Sequence, residues 1–363
     1  MSSAVGKFIA LMGACVLLAS CAQTGPPLPP SLELPKAPSD LRASRKGNQV
    51  TLSWTEPTRT TDRQNIRYLG PTRICRGTEH DMTECANPVM AVPPLPHSKT
   101  PSGSPPANLQ TYTDTLPADL QQQNPTGDVI YAVDVQNRDG RSAGLSNRIH
   151  VPAVPILPPP PDLAAQLTDE GVALSWTSAG EPANQPGIQH RYRIYRRDET
   201  TGKEAIAGET PAGDGGPAHF MDSSFEWEKT YLYRVTAVSV VPRPPSGEVQ
   251  VEGDDSPAIR VVAHDVFPPA VPGGLQAVYS GEGQKPFVDL IWAPVTNADL
   301  AGYNIYRRES DGAFTKINSE LVKSTSYRDI AVIAGRTYIY SVSSVDVREN
   351  QSARSEEASE TVP

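Results

Sequence analysis

Apolar and polar residues alternate most regularly in three short stretches: VTLSW (50 to 54), VALSW (172 to 176) and VDLIW (288 to 292). In each, Val, Leu and Trp stand two apart, which predicts a β-strand with one buried face. Three further elements follow every stretch in the same order. The first is RICRG (73 to 77), RIYRR (193 to 197) and NIYRR (304 to 308). The second is an aromatic two residues before an aspartate: Tyr112/Asp114, Phe220/Asp222 and Tyr327/Asp329. The third is VIYAVDV (129 to 135), YLYRVTAV (231 to 238) and YIYSVSSV (338 to 345). A fixed order repeated three times predicts one all-β unit used three times. No segment shows sustained helical periodicity.

Composition agrees with short strands and many turns. The 363 residues include 37 Pro and 27 Gly, with 6% aromatics, and this length suits two or three domains. The formal net charge is -9, and acidic and basic residues are spread along the chain. That balance argues against nucleic acid and against broad adhesion to anionic lipid.

The first 20 residues carry one charge, Lys7, and an almost wholly apolar run from Phe8 to Leu18. This is the layout of a secretory signal, and the run is too short to span a bilayer. Leu18-Ala19-Ser20-Cys21 resembles the bacterial lipobox, whose cysteine is diacylated and becomes the first mature residue. The resemblance implies cleavage of residues 1–20 and lipidation of Cys21. Ala22, in place of an aspartate, resembles the sorting signal for the outer membrane. The proline-rich stretch 21–37 reads as a lipidated spacer, and PAVPILPPPP (152 to 161) and FPPAVP (267 to 272) read as semi-rigid linkers.

The repeated unit resembles the fibronectin type III domain, which implies three tandem immunoglobulin-like, seven-stranded antiparallel sandwiches over 38–152, 158–263 and 269–363. Trp54, Trp176 and Trp292 match that family's strand B core tryptophan, and Tyr192 and Tyr303 its strand C core tyrosine. Tyr231 and Tyr338 match the strand F tyrosine whose hydroxyl closes the E–F turn. The first copy departs: Thr72 and Val129 stand where those tyrosines belong, so its corner must close differently. Asp114, Asp222 and Asp329 recur at one structural place and read as caps of the turn after strand E.

Catalytic chemistry is not indicated. The six histidines, His80, His97, His150, His190, His219 and His264, are far apart, and neither a zinc pattern nor a nucleophile elbow, P-loop or dinucleotide fingerprint occurs. Asp254 and Asp255 lack a regular calcium ladder. NRDGRS (137 to 142) inverts the integrin tripeptide and carries no adhesion role. No cofactor, metal or catalytic residue is expected, and the chain reads as a non-enzyme.

Aligned copies put Cys75 where Tyr195 and Tyr306 stand on strand C. Cys85 falls ten residues later, in the returning strand of the same hairpin, close enough for a disulfide in an oxidising compartment. From strand C to the strand E aromatic the first copy takes 37 residues, against 25 and 21 in the others. The surplus lies at 87 to 110, where Val89, Met90, Val92 and Leu95 stand among prolines as a candidate partner loop. The expected function is a lipid-anchored interaction or scaffold protein of the bacterial envelope, with an unknown envelope protein as partner; a pure spacer is the less favoured reading. The second reading is a glycan-associated accessory lipoprotein. That would need a row of exposed aromatics, and Trp227 is the one tryptophan outside strand B.

Overall fold

Strand pairing in the computed structural model, which describes residues 32–78, 82–96, 108–180, 186–213, 215–245, 247–280, 283 and 285–363, is antiparallel throughout. The chain divides into two compact units, Met1–Ala153 and Val154–Pro363. The signal sequence, Cys21 and residues 97–107 of the candidate loop lie outside the described residues.

In the first unit, β1 (Arg42–Lys46), β2 (Gln49–Thr55) and β5 (Leu109–Thr115) form a three-stranded sheet in the order β1-β2-β5. The second sheet has the order β4-β3-β6-β7, built from β3 (Leu69–Gly77), β4 (Pro88–Val92), β6 (Asp128–Asn137) and β7 (Ile149–Pro152). Val50, Leu52 and Trp54 point from the first sheet onto Ile74, Val129, Tyr131 and Val133 of the second. The alternation read from VTLSW is thus the inner face of a two-sheet antiparallel sandwich.

The second unit repeats this arrangement twice. Its first three-stranded sheet orders β12-β9-β8, from β8 (Ala164–Leu167), β9 (Val172–Ser178) and β12 (Gly216–Asp222). The facing sheet holds β10 (Gln189–Asp198), β11 (Glu204–Pro211), β13 (Lys229–Pro242), β14 (Glu248–Asp255) and β15 (Ile259–Ala263). The last sandwich joins β16 (Gln276–Ser280), β17 (Phe287–Ile291) and β20 (Ser326–Asp329). Opposite lie β18 (Leu300–Glu309), β19 (Thr315–Lys316), β21 (Thr337–Asp346) and β22 (Ala358–Thr361). Trp176 and Trp292 are buried and meet Tyr192 and Tyr303 edge-on, with ring centroids 5.4 and 5.2 Å apart.

One copy differs from the seven-strand expectation. Strand β13 is 14 residues long, and the chain that follows and pairs with it is split into β14 and β15 at Ser256-Pro257. A proline has no N–H to give to a ladder, so pairing stops there. A serine marks the matching place in every copy. The N–H groups of Val133, Val235 and Val342 donate to the Oγ atoms of Ser146, Ser256 and Ser355, each at 3.0 Å.

The linkers are less free than their prolines suggest. Leu34 to Lys36, placed in the spacer by sequence, pair with the loop after β2: Thr61 N–H donates to the Leu34 carbonyl and Lys36 N–H to the Arg59 carbonyl. Ala153 is buried in the first core. Val154 packs with Ile188, Val241 and Val251, beneath the extended β13–β14 hairpin, and Leu157 enters the second core. Proline fixes an extended backbone but leaves the apolar residues between prolines free to pack.

Truncating Trp292 to alanine removes a buried aromatic and should cost about 3 to 5 kcal/mol in the third sandwich. Denaturant unfolding followed by fluorescence should show that loss, with the transition of the first unit unmoved. A shift of both transitions together would refute separate cores.

Candidate functional site

The residue set that recurs in all three copies is a buried carboxylate with two fixed partners. Asp222 and Asp329 end strands β12 and β20, Asp114 stands one residue before the end of β5, and all three are almost fully buried. Each receives an arginine from strand C: the Nη1 atoms of Arg76, Arg196 and Arg307 lie 2.6, 2.7 and 2.7 Å from Oδ2. Each also accepts a tyrosine hydroxyl from strand F, from Tyr131, Tyr233 and Tyr340, at 2.7, 2.8 and 3.0 Å. The three side chains meet because each shares the inward parity of its strand: Arg196 is two residues after Ile194, Asp222 two after Phe220, and Tyr233 two after Tyr231.

The aspartates also cap the turn, as the sequence suggests, in two copies. Asp222 Oδ1 accepts the Ser224 N–H at 2.9 Å and hydroxyl at 2.7 Å, and Asp329 Oδ1 accepts the Ala331 N–H at 3.0 Å. In the first copy the N–H of Leu116 goes instead to the Asn48 carbonyl at 2.8 Å. Burial works to raise the Asp222 pKa, but the Ser224 donors, the Tyr233 hydroxyl and the Arg196 guanidinium outweigh it and hold the carboxyl below its ordinary value. Burial first, and then the neighbouring carboxylate, pushes the phenols of Tyr131, Tyr233 and Tyr340 up. The arrangement is a structural clasp: charged groups held in fully paired contacts between the two sheets.

The E–F corners close in two ways. Tyr231 and Tyr338 accept the N–H groups of Glu226 and Ile333 on their hydroxyls, at 3.1 and 3.0 Å. With Val129 in that position, the first copy inserts a short helix, α1 (Ala118–Gln123), after β5. Its buried Gln121 donates to the Leu116 carbonyl at 3.0 Å and to Asn48 Oδ1 at 2.9 Å. A glutamine amide thus ties down this corner by donating, where the phenols of the other copies accept.

Cys75 and Cys85 form a disulfide, with Cα atoms 5.4 Å apart, buried beside Ala132. Cys75 lies on β3, as expected, but Cys85 precedes β4 in the connecting loop; the hairpin's return begins only at Pro88. The candidate partner loop is corrected in part by the same strand. Pro88–Val92 is the edge strand β4, and Val89 and Val92 pack against the first core, so they are not free contacts. Met90 points outward and is 50% exposed, and Leu95 is half-buried, its N–H donating to Glu56 at 2.9 Å.

Other candidates resolve into structural contacts. Trp227 is half-buried between Phe225 and Phe267, at centroid distances of 4.7 and 6.0 Å, and does not stand out as a stacking platform. Asp255 lies on β14 and pairs with Arg234. Asp265, Asp299 and Asp346 bring carboxylate oxygens within 4.8 Å of one another. Arg348 reaches Asp265 at 3.3 Å and Glu228 at 3.2 Å, and Asn350 donates to Asp346 at 2.9 Å. The protein thus provides positive charge and donors there itself.

Replacing Asp222 by alanine should cost about 3 to 5 kcal/mol, because Arg196 and Tyr233 lose their common acceptor. The lowered folded-state pKa also sets a pH dependence. Its contribution is complete above the ordinary aspartate range and is lost as pH falls through the lower folded value. Denaturation of Asp222→Asn across acid pH should lack that decline in the second sandwich. Separately, a double Cys75→Ala, Cys85→Ala variant should lose about 2 to 3 kcal/mol, the entropy of a short closed loop, from the first unit alone. Thermal unfolding of both forms, oxidised and reduced, measures it.

No family model matches the chain. Among curated proteins it is similar to the amylopullulanases of Thermoanaerobacterium saccharolyticum, 36% identical over 91 residues, and Thermoanaerobacterium thermosulfurigenes, 34% over 94 residues. Those matches cover 25% and 26% of this chain, which spans only 7% and 5% of the two enzymes. Among solved structures it is similar to an Fn3-like protein from Clostridium thermocellum, at 33% identity and a TM-score of 0.23, over 26% of this chain and 94% of that one. The FN1-FN3 domains of chicken CNTN1 match at 14% identity and a TM-score of 0.26, over 91% of this chain and 100% of theirs.

Proposed function

We propose that the chain is a lipid-anchored, non-catalytic interaction module of a bacterial cell envelope, attached through Cys21 at the outer membrane and engaging a further envelope protein. The observation that carries the non-catalytic reading is the size of the shared segment. The 91 to 94 residues held in common with the amylopullulanases amount to about one sandwich and to 5 to 7% of those enzymes. A segment of that size supports a portable accessory part, one that can be added beside many activities without bringing one. The lipobox-like Leu18-Ala19-Ser20-Cys21 supports the anchor, since two or three acyl chains hold a protein stably where one does not. The resemblance to the fibronectin type III domain is supported by the tryptophan and tyrosine positions together with the sheet orders described above.

A second reading, a glycan-associated accessory lipoprotein, is favoured by the name of those two relatives. A polysaccharide partner and a protein partner are separated by one capture experiment. Purified chain is mixed with envelope fractions pretreated with protease or with glycosidase. Loss of capture after protease alone supports the protein partner; loss after glycosidase alone overturns it in favour of the glycan.

The anchor has its own test. Cys21→Ala should leave the protein in the aqueous phase of a detergent partition, or as unprocessed precursor, while the unaltered chain enters the detergent phase. Equal partition of the two forms would sink the lipoprotein reading.

A further inference from the structure

Arginines in the second unit are paired almost as a rule: Arg191, Arg193, Arg234, Arg307, Arg336 and Arg348 all lie in ion pairs. One end of the first sandwich breaks that rule. Arg59, Arg63 and Arg67 project from the loop between β2 and β3, and Arg138 and Arg141 from the loop after β6. All five are exposed, and none has an ion-pair or hydrogen-bond partner for its guanidinium among the described residues. Arg138 lies over the ring of Tyr68, 5.9 Å from its centroid, which joins the two loops. The loops are themselves ordered. Thr60 is buried, its hydroxyl accepts the Gln64 N–H at 3.0 Å, and Asn137 Oδ1 accepts the N–H groups of Asp139 and Arg141.

Two exposed apolar groups share this end: Tyr68, 66% exposed, and Leu32, 60% exposed. Leu32 is fixed there because its carbonyl accepts Asn137 Nδ2 at 3.0 Å. Lys36 adds a sixth cation against five acids, Glu33, Asp40, Glu56, Asp62 and Asp139, of which Asp40 accepts from Thr55 and Glu56 from the Leu95 N–H. In a chain of net charge -9, this is a locally cationic end carrying an aromatic and an aliphatic side chain. That combination fits the interface of a membrane bearing anionic headgroups. Each basic side chain near such a surface gains about 1 kcal/mol, and tyrosine favours the boundary between headgroups and acyl chains.

The course of the chain selects the occupant. Residues 32 to 36 lie at this same end, whereas β7 leaves at the other, its last residue Pro152 opposite Asp128 at the start of β6. Leu32 is only eleven residues from Cys21, a span of at most about 40 Å. We infer that the arginine-bearing end of the first sandwich docks on the anionic phospholipid surface in which Cys21 is anchored. The inference rests on the lipid-anchor reading for its geometry, but its charge chemistry can be measured without any acyl chain. It also revises the expectation from overall charge. A net negative chain does not adhere broadly to anionic lipid, yet one end of it can.

The test uses the full chain carrying Cys21→Ala, so that acylation contributes nothing, and co-sedimentation with vesicles. Phosphatidylcholine containing phosphatidylglycerol should bring the protein down at low salt, phosphatidylcholine alone should not, and added salt should release it. Combining Arg63→Ser, Arg67→Ser and Arg138→Ser should lower the partition coefficient on the order of a hundredfold, about fivefold per arginine. An unchanged unfolding temperature would show that the variant is folded, and Arg336→Ser in the third sandwich should partition like its parent. Equal binding to both vesicle types, or an undiminished triple variant, would overturn the inference. So would retention on an acidic polysaccharide with no affinity for anionic vesicles, which would assign the end to a glycan. If Cys21→Ala protein binds anionic vesicles while the unaltered chain fails to enter detergent, the anchor reading falls and the docking end stands. The reverse pair of results removes the docking end and leaves the anchor.

Discussion

A carboxylate taken out of water must be fully satisfied, and everything else in these sandwiches is arranged around that demand. Asp114, Asp222 and Asp329 each sit where strand E leaves the three-stranded sheet, and each is met by an arginine and a tyrosine from the opposite sheet. The hydrophobic core alone is nondirectional and would allow the sheets to slide. A charged hydrogen bond at about 2.7 Å from strand C and a second bond from strand F fix which strand ends lie together. The clasp therefore sets the alignment that the tryptophans then fill. Its loss would expose a buried charge rather than simply remove one contact.

Around this fixed point the copies vary freely. The turn beyond the aspartate closes on a phenol in the second and third sandwiches and on Gln121 of α1 in the first. The position after the inward isoleucine of strand C holds Tyr195, stacked under Arg234 at 3.8 Å, or Tyr306, bonded by Gln351 at 2.6 Å, or Cys75 in its disulfide. These residues lie on the outer side of the sheet, away from the tryptophan core; Cys75 alone among them is buried there, beneath its own disulfide loop. The inward set of Trp, Ile and Tyr is held far more closely, since interiors tolerate small changes in volume poorly.

Much of this was legible because a strand writes its burial into alternate residues. Val50, Leu52 and Trp54, and their counterparts, identify the core face without further information. The disulfide was legible from the hairpin, although Cys85 lies before the strand that was expected to hold it. The clasp was legible only in half. The recurring aspartates stand out, but the arginines of RICRG and RIYRR carry no separate assignment from the sequence. Their parity with Ile74 and Ile194 is the signal that places them inward. Val89 and Val92 were misplaced because prolines on both sides disguised a short edge strand. The linkers misled for the same reason: Val154 packs with Val241 and Val251, and Leu157 enters the second core with Tyr233 and Val235, all far away in sequence. The cationic end could not emerge from the overall charge, because the loops that gather Arg63, Arg67 and Arg138 are about 70 residues apart along the chain.

The two ways of closing the corner bear on how the chain assembles during synthesis. Three copies of one strand order on a single polypeptide invite exchange of equivalent strands, a characteristic failure of tandem repeats. Strand β6 taken into the second sandwich would bring Val129 to a corner whose Glu226 N–H awaits a phenol oxygen. Strand β13 taken into the first would bring Tyr231 to a corner that Gln121 already fills. Either exchange leaves a polar group stranded or crowded at the same point. The mismatch makes each strand recognise its own partners, so the departure of the first copy from the pattern serves as an address label within the chain.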